Sequence, residues 1–133
     1  MKHNSILFML LLIAGLFVSM TDSDQPEPWP VPDKYQKMKN PVASDSESLD
    51  IGKSLWNQHC KSCHGKEGLG DGSKAAQLDT DAGDFTAPEF QDQSDGAIFY
   101  KSLIGREEMP NFEKKIPDEE DMWHLVNFMR TLE

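Results

Sequence analysis

Cys60-Lys61-Ser62-Cys63-His64 is the most informative stretch of this 133-residue chain. Its two cysteines stand about one helical turn apart, and a histidine follows the second cysteine directly. This C-x-x-C-H pattern is typical of covalent attachment of haem c. Each thiol can add to one vinyl group of the same porphyrin, and the adjacent histidine is then carried to the iron. The pattern therefore predicts one haem c bound through Cys60 and Cys63, with His64 as a metal ligand.

The residues alone leave three other interpretations of the cysteines open. A thioredoxin-like redox pair needs neighbouring strands, and no alternating apolar run indicates one. A structural zinc site usually has four ligands, whereas Cys60, Cys63 and His64 supply three, with His59 poorly placed as a fourth. A free or disulfide-bonded pair without function is the last, and so short a disulfide loop gives little stabilisation. Haem attachment is the hypothesis we favour.

The composition of the C-terminal region is short of apolar side chains. Only 30 of the 89 residues from 45 to 133 are apolar. A domain of this size with so small a core usually needs a disulfide, a metal or a cofactor for stability. The whole chain carries 23 acidic and 13 basic side chains, a net charge of −10. This balance argues against a nucleic-acid-binding protein, which would show a basic patch.

Residues 1–20 are predicted to be a targeting segment. Lys2 precedes an unbroken apolar run over residues 6–18, which is short for a membrane span and typical of a secretory signal. An A-x-A-like cleavage site is missing, so both a cleaved signal peptide and an uncleaved membrane anchor stay open. In either case we expect an exported, periplasmic protein, soluble or tethered to the outer face of the inner membrane.

Residues 21–44 are predicted to be a Pro-rich linker, because they hold five of the eight prolines. Proline fixes φ and lacks an amide donor, so we expect extended backbone without helix. Trp29, Val31 and Tyr35 lie in this stretch. It is therefore either a plain spacer or a strap whose apolar side chains pack on the domain. The remaining residues, 45–133, are the predicted haem domain.

Helical periodicity dominates that domain, so its predicted fold class is all-α, with three main helices around the haem. Ser44 and Glu47 fit a capping box before a first helix over residues 48–60. Glycines at 65, 68, 70 and 72 follow and are expected to form a flexible path that clears one haem face. Residues 74–78 are expected to form one helical turn, and residues 79–93 a loop.

The second and third helices are predicted from their end signals. Ser94 or Asp95 can cap a helix that ends at Gly105. After a loop over residues 106–116, Pro117 is expected to open the last helix. The predicted buried stripe of that helix contains Met122, Leu125, Val126, Phe128, Met129 and Leu132.

A haem iron held by one histidine has a sixth position, and Met109 is the best candidate for it. Met109 lies in the predicted loop between two carboxylates and Pro110, which is not an obvious place for a core residue. The alternative is an ordinary exposed methionine. Met122 and Met129 lie on the apolar stripe, where core packing is expected. His124 is expected to be a structural histidine.

From about residue 45 onward the chain resembles the small monohaem c-type cytochromes of the class I fold. The matching segments are residues 50–56, 60–65, 70–72, 109, 110, 112 and 123–128. The resemblance implies His/Met-ligated haem and one-electron transfer, and no enzymatic activity. It also implies a close crossing of the first and last helices, with Gly52 and Trp56 on one side and Leu125 and Phe128 on the other. The carbonyl that usually accepts a hydrogen bond from the proximal histidine often belongs to a proline, and no proline here matches it.

We therefore expect a one-electron carrier of a bacterial periplasmic respiratory chain. The alternatives are a fixed monohaem subunit of a membrane respiratory or dehydrogenase complex, and a haem-based sensor with a labile sixth ligand. The expected partners are redox proteins, such as an oxidase, a quinol-oxidising complex or a periplasmic dehydrogenase. Residues 45–133 carry 19 acidic and nine basic side chains, so we expect the partner to have a basic docking patch.

Overall fold

The computed structural model describes residues 28–133, and the regular structure of this region is helical. An isolated bridge between Arg106 and Met109 is the only β-type pairing within it. The three long helices confirm the predicted all-α class. In order, the helices are α1 (Asp33–Gln36), α2 (Ser46–His59), α3 (Lys61–His64), a 3-10 turn (Ala75–Gln77), α4 (Pro88–Gln91), α5 (Asp95–Ile104) and α6 (Glu119–Met129).

Part of the predicted domain organisation falls outside this description. The targeting segment, residues 1–20, and the first part of the linker, residues 21–27, lie outside the described residues. Within residues 28–133, every helix is too short or too polar to cross a bilayer.

Helix α2 begins two residues earlier than predicted, and its cap is not the predicted one. Asp45 Oδ1 accepts a hydrogen bond from the Ser48 N–H at 2.9 Å, so Asp45 is the N-cap. A carboxylate at this place also complements the positive end of the helix. The predicted capping box of Ser44 and Glu47 is therefore wrong, and Glu47 lies in the first turn of α2.

Helices α2 and α6 form the most extensive helix–helix contact of the described residues. A Cβ atom on Gly52 would collide with the carbonyl oxygen of His124 and would lie 2.7 Å from Phe128 Cβ. One turn later, Trp56 is 1% exposed, and its ring centroid lies 5.9 Å from that of Phe128. The predicted crossing at Gly52 and Trp56 is confirmed. The backbones can approach this closely because residue 52 has no side chain.

Helix α5 starts as predicted, and α6 starts slightly later. Ser94 Oγ accepts a hydrogen bond from the Ala97 N–H at 3.2 Å and caps α5. Asp118 caps α6, so Pro117 precedes the helix and does not open it. Of the six residues predicted to form the buried stripe, five are buried, and Phe128 is partly buried against the same cluster. The five buried members are Met122, Leu125, Val126, Met129 and Leu132.

Residues 28–44 form a strap that packs on the domain, the second of the two interpretations of this stretch. The Tyr35 ring centroid lies 4.5 Å from that of Tyr100 on α5. Asn40 Nδ2 donates to the Trp123 carbonyl at 3.1 Å and to Asn127 Oδ1 at 2.8 Å, both on α6. The expectation that this stretch contains no helix is wrong for α1, which follows Pro32 directly. The domain boundary at residue 45 stays a prediction.

The predicted loop over residues 79–93 also contains a helical turn, α4. Pro88 is its first residue, a position where the missing N–H has no partner to lose. The turn places Phe90 against the Phe85 ring, with centroids 4.0 Å apart and nearly parallel planes. This pair packs beside the C-x-x-C-H turn.

Candidate haem-binding site

Cys60, Cys63 and His64 lie together where α2 passes into α3. The Cys60 N–H donates to the Trp56 carbonyl at 2.9 Å, and the N–H groups of Cys63 and His64 donate to the Cys60 carbonyl at 3.1 and 3.0 Å. This helical hydrogen bonding holds the two thiols one turn apart. Both cysteines are free and half-buried.

The Cys60 thiol lies in an apolar environment. Burial raises its pKa to about 12, and the neighbouring Cys63 acts in the same direction. Cys60 is therefore a protonated thiol at neutral pH, and it packs against the main hydrophobic cluster. These surroundings suit a side chain that lies against an apolar porphyrin. A thioredoxin-like pair needs neighbouring strands, and residues 28–133 contain no strand.

The His64 imidazole is buried between aromatic side chains. Its ring centroid lies 4.6 Å from Phe85 and 5.9 Å from Trp56. Burial lowers the pKa of His64, and the nearby Ala82 backbone carbonyl acts in the opposite direction. The imidazole is therefore neutral at pH 7, the form that coordinates a metal ion.

His64 Nδ1 is the one buried side-chain nitrogen or oxygen of residues 28–133 without a hydrogen-bond partner. The Ala82 carbonyl is close enough to influence the ring without reaching hydrogen-bond geometry. A ring nitrogen of a ligating histidine usually donates to such a carbonyl, which fixes the ring orientation. The Ala82 carbonyl is therefore the candidate acceptor for the His64 ring, the role for which the sequence offered no matching proline.

The glycine-rich segment is hydrogen-bonded to the C-x-x-C-H turn. The N–H groups of Gly70, Gly72 and Lys74 donate to the carbonyls of His64, Cys63 and Ser62, respectively, at 2.9, 3.1 and 2.7 Å. A Cβ atom on Gly72 would lie 2.6 Å from the Cys63 carbonyl oxygen. The segment satisfies carbonyls that the end of a helix leaves free. These three hydrogen bonds attach the segment to the turn, and its role in clearing one haem face stays a prediction.

Met109 lies in a tight turn over residues 106–109. Arg106 and Met109 exchange two backbone hydrogen bonds, each 2.9 Å long, and Glu107 takes a positive φ of 53°. Met109 is half-buried and packs against the same hydrophobic cluster as Cys60. The thioether is therefore not an ordinary exposed loop side chain. Its role as the sixth ligand stays a prediction.

The other methionines and histidines of the domain have structural surroundings. Met122 and Met129 are buried at 0% and 2% exposure, as expected of core residues. His124 Nδ1 lies 2.8 Å from Ser48 Oγ, inside the crossing of α2 and α6. The His59 ring packs edge-on against Phe112, with centroids 5.9 Å apart.

The residues present fit a covalently bound haem. The Cys60 thiol, the neutral His64 imidazole and the half-buried Met109 thioether adjoin apolar side chains, and the Cys63 thiol lies one helical turn from Cys60. In the part of the chain that the structure describes, no group of three or more His, Cys, Asp or Glu side chains is arranged to hold a metal ion. The zinc interpretation therefore has no support in residues 28–133.

Two sets of residues beside this site were missed by sequence reasoning. Phe85 and Phe90 are the two aromatic residues of the predicted loop over residues 79–93. Two aromatic side chains in an otherwise polar loop were the signal that could have predicted their packing. Glu108 accepts hydrogen bonds from the N–H groups of Asp79 and Thr80, which precede it by 29 and 28 positions in the chain. Local sequence carries no signal for such a contact.

Comparison with known proteins gives one family and one fold. Residues 47–129 match the family described as cytochrome C oxidase, cbb3-type, subunit III, a span that includes all four predicted site residues. No curated protein matches the chain significantly. Among six matching chains of solved structures, one belongs to the reducing HAO-like protein complex of Kuenenia stuttgartiensis, with a TM-score of 0.63 and 25% identity. The match covers 81% of this chain and 52% of that one, so this chain spans about half the length of its neighbour.

Proposed function

This chain belongs to the cytochrome C oxidase, cbb3-type, subunit III family and is a small c-type cytochrome. We propose that it carries single electrons on one covalently bound haem c. The observation that supports this most is the single helical turn that holds Cys60, Cys63 and His64. When bound, the haem supplies the one-electron change between Fe(III) and Fe(II).

The protein's own residues have three tasks in this function. Cys60 and Cys63 fix the porphyrin through thioether bonds. His64 offers a neutral imidazole whose burial keeps it unprotonated at pH 7. Met109 offers a thioether from a turn that its own backbone hydrogen bonds hold closed. His64 and Met109 would hold the iron from two sides of the protein's own framework, so little would have to rearrange on electron transfer.

A redox titration of protein made with a haem-attachment system tests the proposal. Followed by absorption, it should show one reversible transition of a single electron. Replacement of both cysteines with serine should give a chain without covalent haem under the same expression conditions. A parent chain that takes up no haem, or whose spectrum is unchanged by reductant, would rule out the carrier function.

The Met109→Ala variant tests the sixth ligand separately. Loss of the thioether should open the iron to carbon monoxide and lower the reduction potential, because a methionine ligand raises it. Met122→Leu is the matched control, since it is a core substitution of similar volume and should leave the spectrum unchanged. An unchanged oxidised spectrum in Met109→Ala would place the ligand elsewhere.

We further propose that the carrier is exported and works in a periplasmic respiratory chain. Its apolar N-terminal run, residues 6–18, supports export, and its acidic surface supports a redox partner with a basic docking patch. The mature N-terminus, read by mass spectrometry of native protein, is the test. Cleavage near residue 20 supports a free carrier, and an intact residue 1 supports a membrane-tethered one. A cytoplasmic protein with an intact N-terminus would contradict export.

A fixed subunit of a larger redox complex is the second candidate. Two observations favour it: the family is described as an oxidase subunit, and the solved neighbour is part of a multi-protein complex. Gel filtration of native material extracted in mild detergent distinguishes the two. A monomer supports the shuttle, and stable co-elution with other redox proteins supports the subunit.

A further inference from the structure

We propose that Glu108 is the positioning residue for Met109, and that it does so by binding the loop that follows the 3-10 turn Ala75–Gln77. This inference rests on the proposed function, because it assumes that the Met109 thioether is the sixth ligand. It adds a residue outside the haem-binding pattern that determines whether this ligand stays in place.

The geometry of Glu108 is the first step of the argument. One carboxylate oxygen, Oε2, accepts three hydrogen bonds: from the Asp79 N–H at 2.8 Å, and from the Thr80 N–H and hydroxyl, both at 2.9 Å. Glu108 is exposed, so a side chain of this length would be free to move without these bonds. Because the acceptor is a charged carboxylate oxygen, these three hydrogen bonds belong to the stronger, charge-assisted class.

The place of Glu108 in its turn is the second step. It directly precedes Met109, and the paired Arg106–Met109 backbone bonds close the turn around it. Anchoring the side chain of residue 108 therefore fixes the orientation of the turn that presents Met109. The turn also contacts the rest of the molecule through the Arg106 guanidinium, which lies 4.8 Å from the Trp29 ring centroid, and through the packing of Met109.

The position of the bound loop is the third step. Asp79 and Thr80 shortly precede Ala82 and Phe85, which adjoin the His64 ring. The Phe85 N–H is itself fixed, because it donates to the Gly68 carbonyl at 2.7 Å. Glu108 thus joins the turn that carries the sixth-ligand candidate to the segment that packs on the proximal histidine. The two residues that would hold the iron, Met109 and His64, are therefore both linked to the loop over residues 79–85.

The experiment uses the haem-loaded protein and compares Glu108→Ala with Glu113→Ala, an exposed glutamate of the same loop region, as the matched control. The readouts are carbon monoxide association with the reduced protein, the reduction potential, and hydrogen exchange of the Asp79 and Thr80 amides. For Glu108→Ala we expect several-fold faster association, a lower potential and faster amide exchange. Glu113→Ala should match the parent in all three.

Two further variants separate positioning from general stability. Glu108→Gln keeps an acceptor oxygen and should restore most of the parent potential. Thr80→Val removes the hydroxyl, one of the three donors to Glu108. It should shift the carbon monoxide association rate and the reduction potential in the same direction as Glu108→Ala, but by a smaller amount. Parent-like association and potential in both Glu108→Ala and Thr80→Val would overturn the inference.

The Met109→Ala variant distinguishes this failure from failure of the proposed ligand. If Met109→Ala binds carbon monoxide and Glu108→Ala behaves like Glu113→Ala, only the positioning role is wrong. If Met109→Ala itself behaves like the parent, the ligand assignment is wrong and the positioning role is wrong with it.

Discussion

Ser48 is the residue on which the buried polar side chains of the α2–α6 crossing converge. It is 1% exposed, its hydroxyl lies 2.8 Å from His124 Nδ1, and Asn127 Nδ2 donates to it at 2.9 Å. Asn127 also donates to the Val42 carbonyl of the strap at 3.2 Å. The Ser48 hydroxyl therefore links α2 to α6, and Asn127 extends the network to the strap. This network accounts for the buried His124 without any role at a metal.

Substitution Ser48→Ala is expected to destabilise the protein measurably. His124 Nδ1 would be left buried without its partner, which typically costs about 1–3 kcal/mol. Urea unfolding of the haem-loaded protein measures the loss. Ser54→Ala, at an exposed position of the same helix, is the control and should stay close to the parent. Equal stability of the two variants would mean that the hydroxyl is not part of a necessary network.

The residues that sequence could predict are those whose roles depend on local spacing. Cys60, Cys63 and His64 form one turn wherever the chain is helical, so their juxtaposition follows from the pattern. Glu108 and Ala82 could not be predicted in the same way. Their contacts join segments that meet only after the whole domain has folded.

Among the elements, the crossing of α2 and α6 leaves no room for a side chain at its closest point. Both backbones approach at Gly52, where an added Cβ has nowhere to move because its nearest neighbours include the backbone of His124. The Trp56 side chain fills the space one turn further on, buried at 1% exposure. Packing at this crossing holds the C-x-x-C-H turn at the end of α2.

Substitution Gly52→Ala is therefore expected to destabilise the domain by at least the usual cost of overpacking, about 1–3 kcal/mol. The intrinsic helix propensity of alanine acts in the opposite direction and is smaller. Thermal unfolding of the haem-loaded protein measures the balance. Lys53→Ala, at the next and exposed position, is the control. A Gly52→Ala protein as stable as the control would show that the helices can separate without cost.

The long helices were predictable, and so was the turn at Ala75–Gln77, whereas the single-turn helices α1 and α4 were not. Helix α5 has a cap, an apolar face and a terminal glycine within its own sequence, so its bounds were predicted. Helices α1 and α4 are single turns beside prolines, and a proline breaks a helix only in its interior. Ser44 was the predicted cap of α2, and only the structure shows that Asp45 caps it.

At the scale of the whole molecule, the acidic surface should govern encounters with partners. The chain's net charge of −10 creates a field that attracts a basic docking patch. Salt shortens the Debye length from ~10 Å at 0.1 M to ~3 Å at 1 M. We expect electron-transfer rates with the natural partner, measured by stopped flow, to fall across this range. Rates that stay flat would mean that the acidic surface does not steer association.

The small apolar core is the other property of the whole molecule. The main hydrophobic cluster reaches the attachment turn, since Cys60 and Met109 both pack against it. A bound haem would extend this cluster with apolar surface that the sequence itself lacks. A haem held by Cys60 and Cys63 as part of the core would account both for the shortage of apolar residues and for the half-buried thiols.

The intact mass of the chain after denaturation tests this explanation most directly. The protein is expressed with a haem-attachment system, purified and unfolded so that only covalent bonds can retain a cofactor. We predict that each parent chain carries the mass of one haem, and that the variant with both Cys60→Ser and Cys63→Ser has the mass of the polypeptide alone. A parent chain found at its polypeptide mass would contradict the account.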